Sequence, residues 1–321
     1  MEASILIPTF RRPALLARAL AAACRQQGFA AEGSGYQVVV VDNDPDGSAA
    51  SVVADLDLTD AVVKPRYVSE SRPGISHARN RLLAESQGRY VAFLDDDQCP
   101  STERWLRHLV DACKSANAWG AFGPVTAELD CPADDPLATL YADFFSRSYP
   151  DWADGADLTQ RFAYLGTQNS LFDREQCGFA DSPEPFDVDL GHIGGEDSVL
   201  LRRLVERGGR YVWAAQAHVT EAVPTARCSL DYVRRRRFRD GQIRSFVGLR
   251  MAPPQRLEPV KWMALGAAQS GVHMLGWLTS RITGGTPLAR ARHVAQIWGG
   301  AGKVLWGEPF RFPMYGGASK D

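Results

Sequence analysis

Three consecutive carboxylates, Asp95, Asp96 and Asp97, follow directly on the run Arg89-Tyr-Val-Ala-Phe-Leu94. Apolar runs of this kind suit the middle of a parallel sheet, and in open α/β sheets ligands bind just beyond the carboxyl ends of the strands. Three neighbouring negative charges repel one another unless something positive joins them. Hard oxygen ligands suit Mg²⁺ or Mn²⁺. A solvated acidic turn or a helix N-cap explains an isolated triplet just as well, so the rest of the chain must decide.

A second acidic spot, Glu196-Asp197, stands behind Gly194 and Gly195. Acids at a helix start are favoured by the dipole alone. The chemical reading is that the glycines let a substrate approach while one carboxylate acts as general base. His218 closes the expected strand Tyr211–Ala217 and could complete a metal's coordination, although a single histidine also serves structural ends. Asp42 ends the buried run Gln37-Val-Val-Val-Val41. It can accept a hydrogen bond from a nucleotide base or cap an Asx turn. Arg72 and Arg79 lie in Ser71-Arg-Pro-Gly-Ile-Ser-His-Ala-Arg-Asn80. Gly74 starts a helix there, so backbone N–H groups and two guanidinium groups can converge on phosphate oxygens. As plain surface charges they need no such partner.

These residues need a scaffold that delivers them to one edge. Ser4–Pro8 reads as the first strand, and Pro13 opens a helix running to about Gln27 with Leu15, Leu16, Ala19, Leu20 and Ala23 at helical spacing. Gln37–Asp42 is the second strand, then a helix over about 48–56, a strand over Val62–Val68, a helix over Ile75–Glu85, and the strand ending at the acidic triplet. This alternation predicts a mostly parallel α/β sheet flanked by helices. Residues 130–165 read as loop, Phe162–Phe172 as a strand pair around Gly166-Thr-Gln-Asn-Ser170, and Ser198–Arg207 as a strong helix. The turn after the first strand is Pro8-Thr-Phe-Arg-Arg-Pro13, not GxGxxG, and no GxxxxGK[ST] occurs. Dinucleotide enzymes and P-loop NTPases are therefore disfavoured. Side chains at strand ends, with a metal, suit a nucleotide better.

The net charge of −2 hides an asymmetry: residues 225–321 hold 16 Lys/Arg against 5 Asp/Glu, leaving 20 against 33 in residues 1–224. A basic tail region suits an anionic partner such as a membrane surface or a phosphate group. No nucleic-acid recognition motif accompanies it, and no nucleic-acid partner is expected. The six cysteines are scattered without a CxxC pair, which speaks against zinc or a disulfide framework. They read as buried free thiols of a reducing cytoplasm. The N-terminus offers too short an apolar segment for a signal peptide and is expected to start folded, on the cytoplasmic side. Val260–Thr279 is mostly apolar but diluted by Lys261, Gln269, Ser270 and His273. A helix lying in a membrane interface, a soluble helical pair and a membrane span are the three readings, the first favoured by the flanking Trp and Arg residues.

In order along the chain, Pro8-Thr9 with Arg11, VVVVDND, SRPGISHARN, FLDDD, GGED and RRRFRDGQ resemble the pattern of inverting family 2 glycosyltransferases with the GT-A fold. The likeness covers about residues 3–245. It points to the bacterial exopolysaccharide group typified by the succinoglycan β-1,4-glucosyltransferase. That resemblance implies a nucleotide site containing Pro8, Thr9, Arg11, Asp42, Arg72, Arg79, Asp95 and Asp96. It implies Asp97 as the direct metal ligand, with Asp95 and His218 also on the metal, and Asp197 beside Glu196 as catalytic base. Arg237, Arg239 and Gln242 fall where related enzymes close over the diphosphate or meet the acceptor.

The expectation is thus a GT-A domain over 1–225 with a basic helical region over 226–321. It would be a Mn²⁺- or Mg²⁺-dependent inverting transferase moving a sugar from a nucleotide-diphosphate donor, a UDP-hexose by expectation. The acceptor would be an oligosaccharide, lipid-linked, met at the inner face of a bacterial cell membrane. The rivals are a sugar-1-phosphate nucleotidyltransferase, which would want a Gly-rich phosphate loop after the first strand, and a non-catalytic carbohydrate-binding protein, which would not need the acidic motifs together. Multiple spans and a QxxRW motif, the marks of a processive synthase, are absent from the sequence.

Overall fold

The computed structural model describes residues 1–29, 35–132 and 134–311. Its elements run β1 (Ala3–Thr9), α1 (Pro13–Ala23), β2 (Tyr36–Asp42), α2 (Ala50–Ala54), β3 (Pro65–Ser69), α3 (Ile75–Glu85), β4 (Tyr90–Phe93), β5 (Gln98–Pro100), α4 (Trp105–Ser115) and β6 (Gly120–Phe122). They continue with β7 (Val125–Leu129), α5 (Ala138–Phe145), β8 (Ser170–Asp173), α6 (Glu196–Glu206), β9 (Tyr211–Trp213), β10 (Val219–Val223), α7 (Leu230–Phe246), α8 (Glu258–Ile282) and α9 (Pro287–Val304).

The chain divides into two compact units. Of the described residues, the first comprises those within 1–126 and 147–221, and the second those within 127–146 and 222–311. In the first, a seven-stranded sheet has the order β3-β2-β1-β4-β8-β6-β9. Strands β1 to β4 pair in parallel, β8 runs antiparallel between β4 and β6, and β9 is parallel to β6. Alternation along each strand fills both faces. Ile5, Ile7, Val38 and Val40 pack with Leu16 and Leu20 of α1 and Trp105 and Leu109 of α4. Leu6, Val39, Val41 and Phe93 pack with Leu82 of α3 and Leu200 and Leu204 of α6. Apolar residues on successive positions are what a sheet covered on both sides requires. A smaller sheet has the order β5-β10-β7.

In the second unit α9 packs against both α7 and α8. Glycines set the spacing: a Cβ on Gly302 would stand 1.9 Å from the Phe238 carbonyl oxygen, and one on Gly266 2.5 Å from that of Gly300. Leu140 and Tyr141 of α5 share a core with Val233, Ala291 and Ala295.

Several expected elements are corrected. The loop-like stretch 130–165 contains helix α5 and a 3₁₀ turn at Thr159–Tyr164. Phe162–Phe172 is not a strand pair; only Ser170–Asp173 is strand, and the segment before it is held by side chains described below. The third strand begins at Pro65 because the N–H groups of Val62 and Val63 turn back to the Cys24 carbonyl. The strand expected over Tyr211–Ala217 stops at Trp213, and a turn closed by Ala217 N–H on the Ala214 carbonyl follows. All six cysteines are free thiols.

Candidate active site

Parallel register delivers the expected residues to one sheet edge. Thr9 stands beside Asp42, and Asp42 beside Ser69. Next to them β4 leaves the sheet through Leu94, whose N–H donates to the Leu6 carbonyl (3.1 Å), and enters the acidic triplet. Thr9 Oγ1 donates to Asp96 Oδ2 at 2.8 Å. Arg12 Nη1 donates to Asp96 Oδ1 (3.2 Å) and Asp97 Oδ2 (3.1 Å). Arg79 Nη2 lies 3.8 Å from Asp95 Oδ1. Burial is the strongest influence on Asp95 and Asp96. It pushes Asp95 upward and Asp96 to about 6, against the opposing pull of Arg79 on the first and Arg12 on the second. Arg79 joins the two acidic motifs, standing 3.8 Å from Asp95 Oδ1 and pairing with Glu196, the neighbour of Asp197.

The motif SRPGISHARN positions the second acidic spot through one face of α3. Ser76 Oγ donates to the Asp187 carbonyl (2.8 Å), and Asn80 exchanges a reciprocal pair of bonds with the Phe186 backbone (2.8 and 2.9 Å). Ile75 N–H donates to the Gly191 carbonyl (3.1 Å), and the Arg79 guanidinium is paired with buried Glu196. Residues 76, 79 and 80 share a helix face by their spacing. Gly74 has φ +121°, a backbone conformation that favours glycine, and it lies against the Gly191 backbone. Gly194 and Gly195 then turn the chain with φ of +86° and +97° into α6. Asp197 stands in its first turn, with Oδ1 accepting from Ser198 N–H (2.7 Å). Its Oδ2 faces Gly166, where a Cβ would approach to 3.0 Å.

The other expected residues have the following partners. Asp42 is fully buried, with Oδ1 accepting from Asp44 N–H (3.0 Å) and Oδ2 from Ala49 N–H (2.8 Å) and Tyr67 OH (3.1 Å). Of its two readings, the Asx turn is the one this geometry realises. Pro8 is buried within β1. Arg11 adopts φ +54° and pairs with Asp44 (3.1 Å) and Asp46 (3.0 Å), which leaves Arg12 to reach the triplet. Arg72 is half exposed and clasps Glu70 through Nε (3.0 Å) and Nη2 (2.8 Å). His218 stands before β10, with Nδ1 2.6 Å from Ser101 Oγ and Nε2 2.7 Å from Thr126 Oγ1. Asp95, Asp97 and His218 are not assembled as a ligand set: among the described residues, no three His, Cys, Asp or Glu side chains are placed to hold a metal. In the second unit, Arg237 lies over the Phe144 ring, Arg239 is buried beside Asp240, and Gln242 Nε2 donates to the carbonyls of Leu305 and Phe310.

The family described as Glycosyl transferase family 2 matches residues 4–174, just over half of the chain, spanning the parallel strands and the triplet. The chain belongs to that family. It is therefore a glycosyltransferase, and the nucleotidyltransferase and carbohydrate-binding rivals fall. It is 34% identical to the succinoglycan biosynthesis protein ExoM of Rhizobium meliloti (strain 1021) over 244 residues, covering 75% of this chain and 74% of that one. The GT-A fold recurs in the mannosyltransferase PcManGT from Pyrobaculum calidifontis, solved with GDP-Man and Mn²⁺. The TM-score is 0.58 at 19% identity, over 95% of this chain and 87% of that one. S. aureus TarS 1–349, solved with UDP, gives 0.53 at 15% identity, over 94% and 90%.

In this family 2 site the donor set suits a hard divalent cation. Crowded carboxylates, one lifted to about 6, carry more negative charge than Arg12 and Arg79 relieve. Mg²⁺ commonly uses one or two carboxylates together with substrate phosphates, so a site without a three-residue protein cage fits an ion that arrives with its donor. Three positioning residues escaped the sequence reading. The sequence pattern singles out Arg11, but Arg12 is the one that reaches the triplet. Asn43 ties the 70–74 turn to β2, donating to the Glu70 (2.9 Å) and Arg72 (2.7 Å) carbonyls and accepting from Gly74 N–H (2.9 Å). Buried Arg147 donates to the carbonyls of Gly123, Gln168 and Asn169, and burial lowers it to about 10. Only Arg12 had a visible signal, its place directly before the helix-opening Pro13.

Proposed function

We propose that this protein transfers a sugar, with inversion, from a nucleotide-diphosphate donor to a lipid-linked oligosaccharide in exopolysaccharide synthesis, at the inner face of a bacterial cell membrane. The observation that carries the reading is Arg79, which lies 3.8 Å from Asp95 of the acidic triplet and pairs with Glu196, the neighbour of Asp197, near the carboxyl edge of the sheet. The likeness to a succinoglycan biosynthesis protein supports the pathway class, and neighbours solved with UDP and GDP-Man support a nucleotide-bound donor.

Thr9 and Arg11 take the nucleotide side, with Asp42 shaping the turn that carries Asn43 and Asp44. Arg72 and Arg79 are the phosphate-side cations. Asp97, with Asp95, holds Mn²⁺ or Mg²⁺, and Asp96 is kept in place by Thr9 and Arg12. The ion, when bound, neutralises charge on the leaving diphosphate. Asp197 takes the proton of the acceptor hydroxyl as that oxygen bonds the anomeric carbon. The bond from that carbon to the diphosphate oxygen breaks, and the nucleoside diphosphate departs. One displacement needs one base, unlike the paired carboxylates of glycosidases. Glu196, paired with Arg79, orients the helix start that bears Asp197. Arg237 and Arg239 belong to the acceptor or diphosphate side, and Gln242 fixes the helix carrying them.

A donor screen tests this: release of nucleoside diphosphate from radiolabelled UDP- and GDP-sugars on a lipid extract, with Asp197→Asn alongside. Transfer should fall by about 10²–10⁴-fold in the variant, and EDTA should abolish wild-type turnover. Transfer at the wild-type rate by the variant would remove Asp197 as base.

A further inference from the structure

Helix α8 presents its two faces the wrong way round for a surface helix in water. Its polar residues point inward to α9: Gln269 Nε2 donates to the Gln296 carbonyl (2.8 Å), Ser270 Oγ to the Ile297 carbonyl (3.1 Å), and His273 Nδ1 meets His293 Nδ1 at 3.0 Å. Its large apolar residues point outward. Val260 is 63% exposed, Val272 67%, Leu275 66% and Ile282 85%, with Leu265 and Leu278 beside them. A soluble amphipathic helix shows the reverse pattern. The polar residues that break up the apolar run in the sequence are thus its inner seam, and the stripe left outside is almost unbroken along 25 residues, or about 37 Å at the helical rise. Exposed apolar stretches of this extent mark an interaction surface.

Charge selects the occupant. On α8 itself Lys261 and Arg281 are exposed, and Glu258 is its one acid. A second copy laid on this face would oppose like charges, whereas anionic headgroups complement them. Arg281 lies 5.6 Å over the Trp277 ring, which puts a cation and an amphipathic ring at one end of the stripe, as a headgroup boundary favours. No helix among the described residues is long and apolar enough to cross a membrane. We propose that the outer face of α8 docks in the plane of an anionic bilayer, burying the stripe below the headgroups. This rests on the functional reading above, and names the surface by which the enzyme meets a lipid-borne acceptor.

The test is flotation of the full-length protein with phosphatidylcholine vesicles, with and without phosphatidylglycerol, beside light scattering for its oligomeric state. Wild type should float with phosphatidylglycerol vesicles and be released by salt. The double variant Val272→Glu/Leu275→Glu should bind at least about tenfold more weakly, while keeping its circular dichroism, melting temperature and affinity for UDP-sugar. Wild type that fails to float, or a variant that floats equally well, overturns the proposal. A wild-type dimer that the variant converts to monomer, without vesicle binding, assigns the face to a second copy instead. Donor turnover is scored separately on a soluble acceptor. Wild type that turns over donor but does not float sinks the docking alone, and wild type that floats without turning over donor sinks the functional reading.

Discussion

Arg12 Nη1 lies 3.1 Å from Asp97 Oδ2 and, on its other side, 3.2 Å from Asp96 Oδ1. A guanidinium therefore bridges Asp96 to Asp97, one of the two carboxylates proposed to hold the metal, and it acts there as an internal cation. A divalent ion has to share or displace it. Arg12→Met is expected to raise donor-free Mn²⁺ affinity by about tenfold, roughly the 1.4 kcal/mol of one exposed-side charge contact. It should also lower the melting temperature of the metal-free protein. Calorimetric titration with Mn²⁺, paired with melts in EDTA, reads both. Weaker Mn²⁺ binding by the variant would show that Arg12 assists the metal rather than competing with it.

Glu196 and Arg79 form a buried pair that fastens α3 to the start of α6. Removing the cation leaves a carboxylate in a dry site, which ordinarily costs about 3–5 kcal/mol. Arg79→Met should therefore depress the melting temperature by roughly 10 °C or more in a unit of this size. Glu196→Gln, which keeps a hydrogen-bonding shape, should lose less. Equal, small losses in both variants, by thermal denaturation, would mean that the pair is not a fastening.

The motifs legible in the sequence were those whose parts are contiguous. A buried run ending in FLDDD is the end of a parallel strand almost by necessity, and SRPGISHARN advertises a helix with 76, 79 and 80 on one face. Their convergence was foreseen only through the family resemblance. The helix start at Glu196 shows why acids there are ambiguous: Glu196 is employed in a buried pair, Asp197 is not, and only the three-dimensional neighbours, Arg79 and Gly166, separate them. Arg12 and Arg147 act on partners far along the chain, and no local period encodes that. Helix α5 lay hidden because Pro and Asp before it imitate a loop, while its burial comes from α7 and α9. The strand expected to run up to His218 stops at Trp213, and the turn that follows carries His218 to the hydroxyls of Ser101 and Thr126.

Arg147 is expected to control activity without touching substrate. Its buried guanidinium holds the carbonyls of Gln168 and Asn169, which fixes the loop bearing Gly166 against Asp197. Arg147→Lys keeps the charge but loses the fork geometry. It should lower kcat about tenfold, with KM for the donor changed by less than half as much on a logarithmic scale. Steady-state kinetics on purified variant measures the split. A rise confined to KM would place the loop on the donor side instead.

The acid limb of stability should depend on Asp173. This carboxyl ends β8 almost fully buried and accepts from Arg89 Nε (3.1 Å) and Nη2 (2.9 Å) and from Gln176 Nε2 (3.2 Å). Burial raises it, but Arg89 and Gln176 together outweigh burial and hold it below the ordinary carboxylate range. A depressed folded-state value means the unfolded chain binds the proton first as pH falls. The stabilisation is thus complete above the unfolded value near 4 and is lost as pH drops through the lower folded one. Arg89 is half exposed, so solvent discounts its share to about 1–2 kcal/mol. Arg89→Met should destabilise the protein by that amount at neutral pH and shift acid unfolding to higher pH. Circular dichroism during acid titration of both proteins measures the shift. An unmoved acid midpoint would assign the low value of Asp173 to Gln176 and the backbone N–H groups of Glu175 and Gln176 instead.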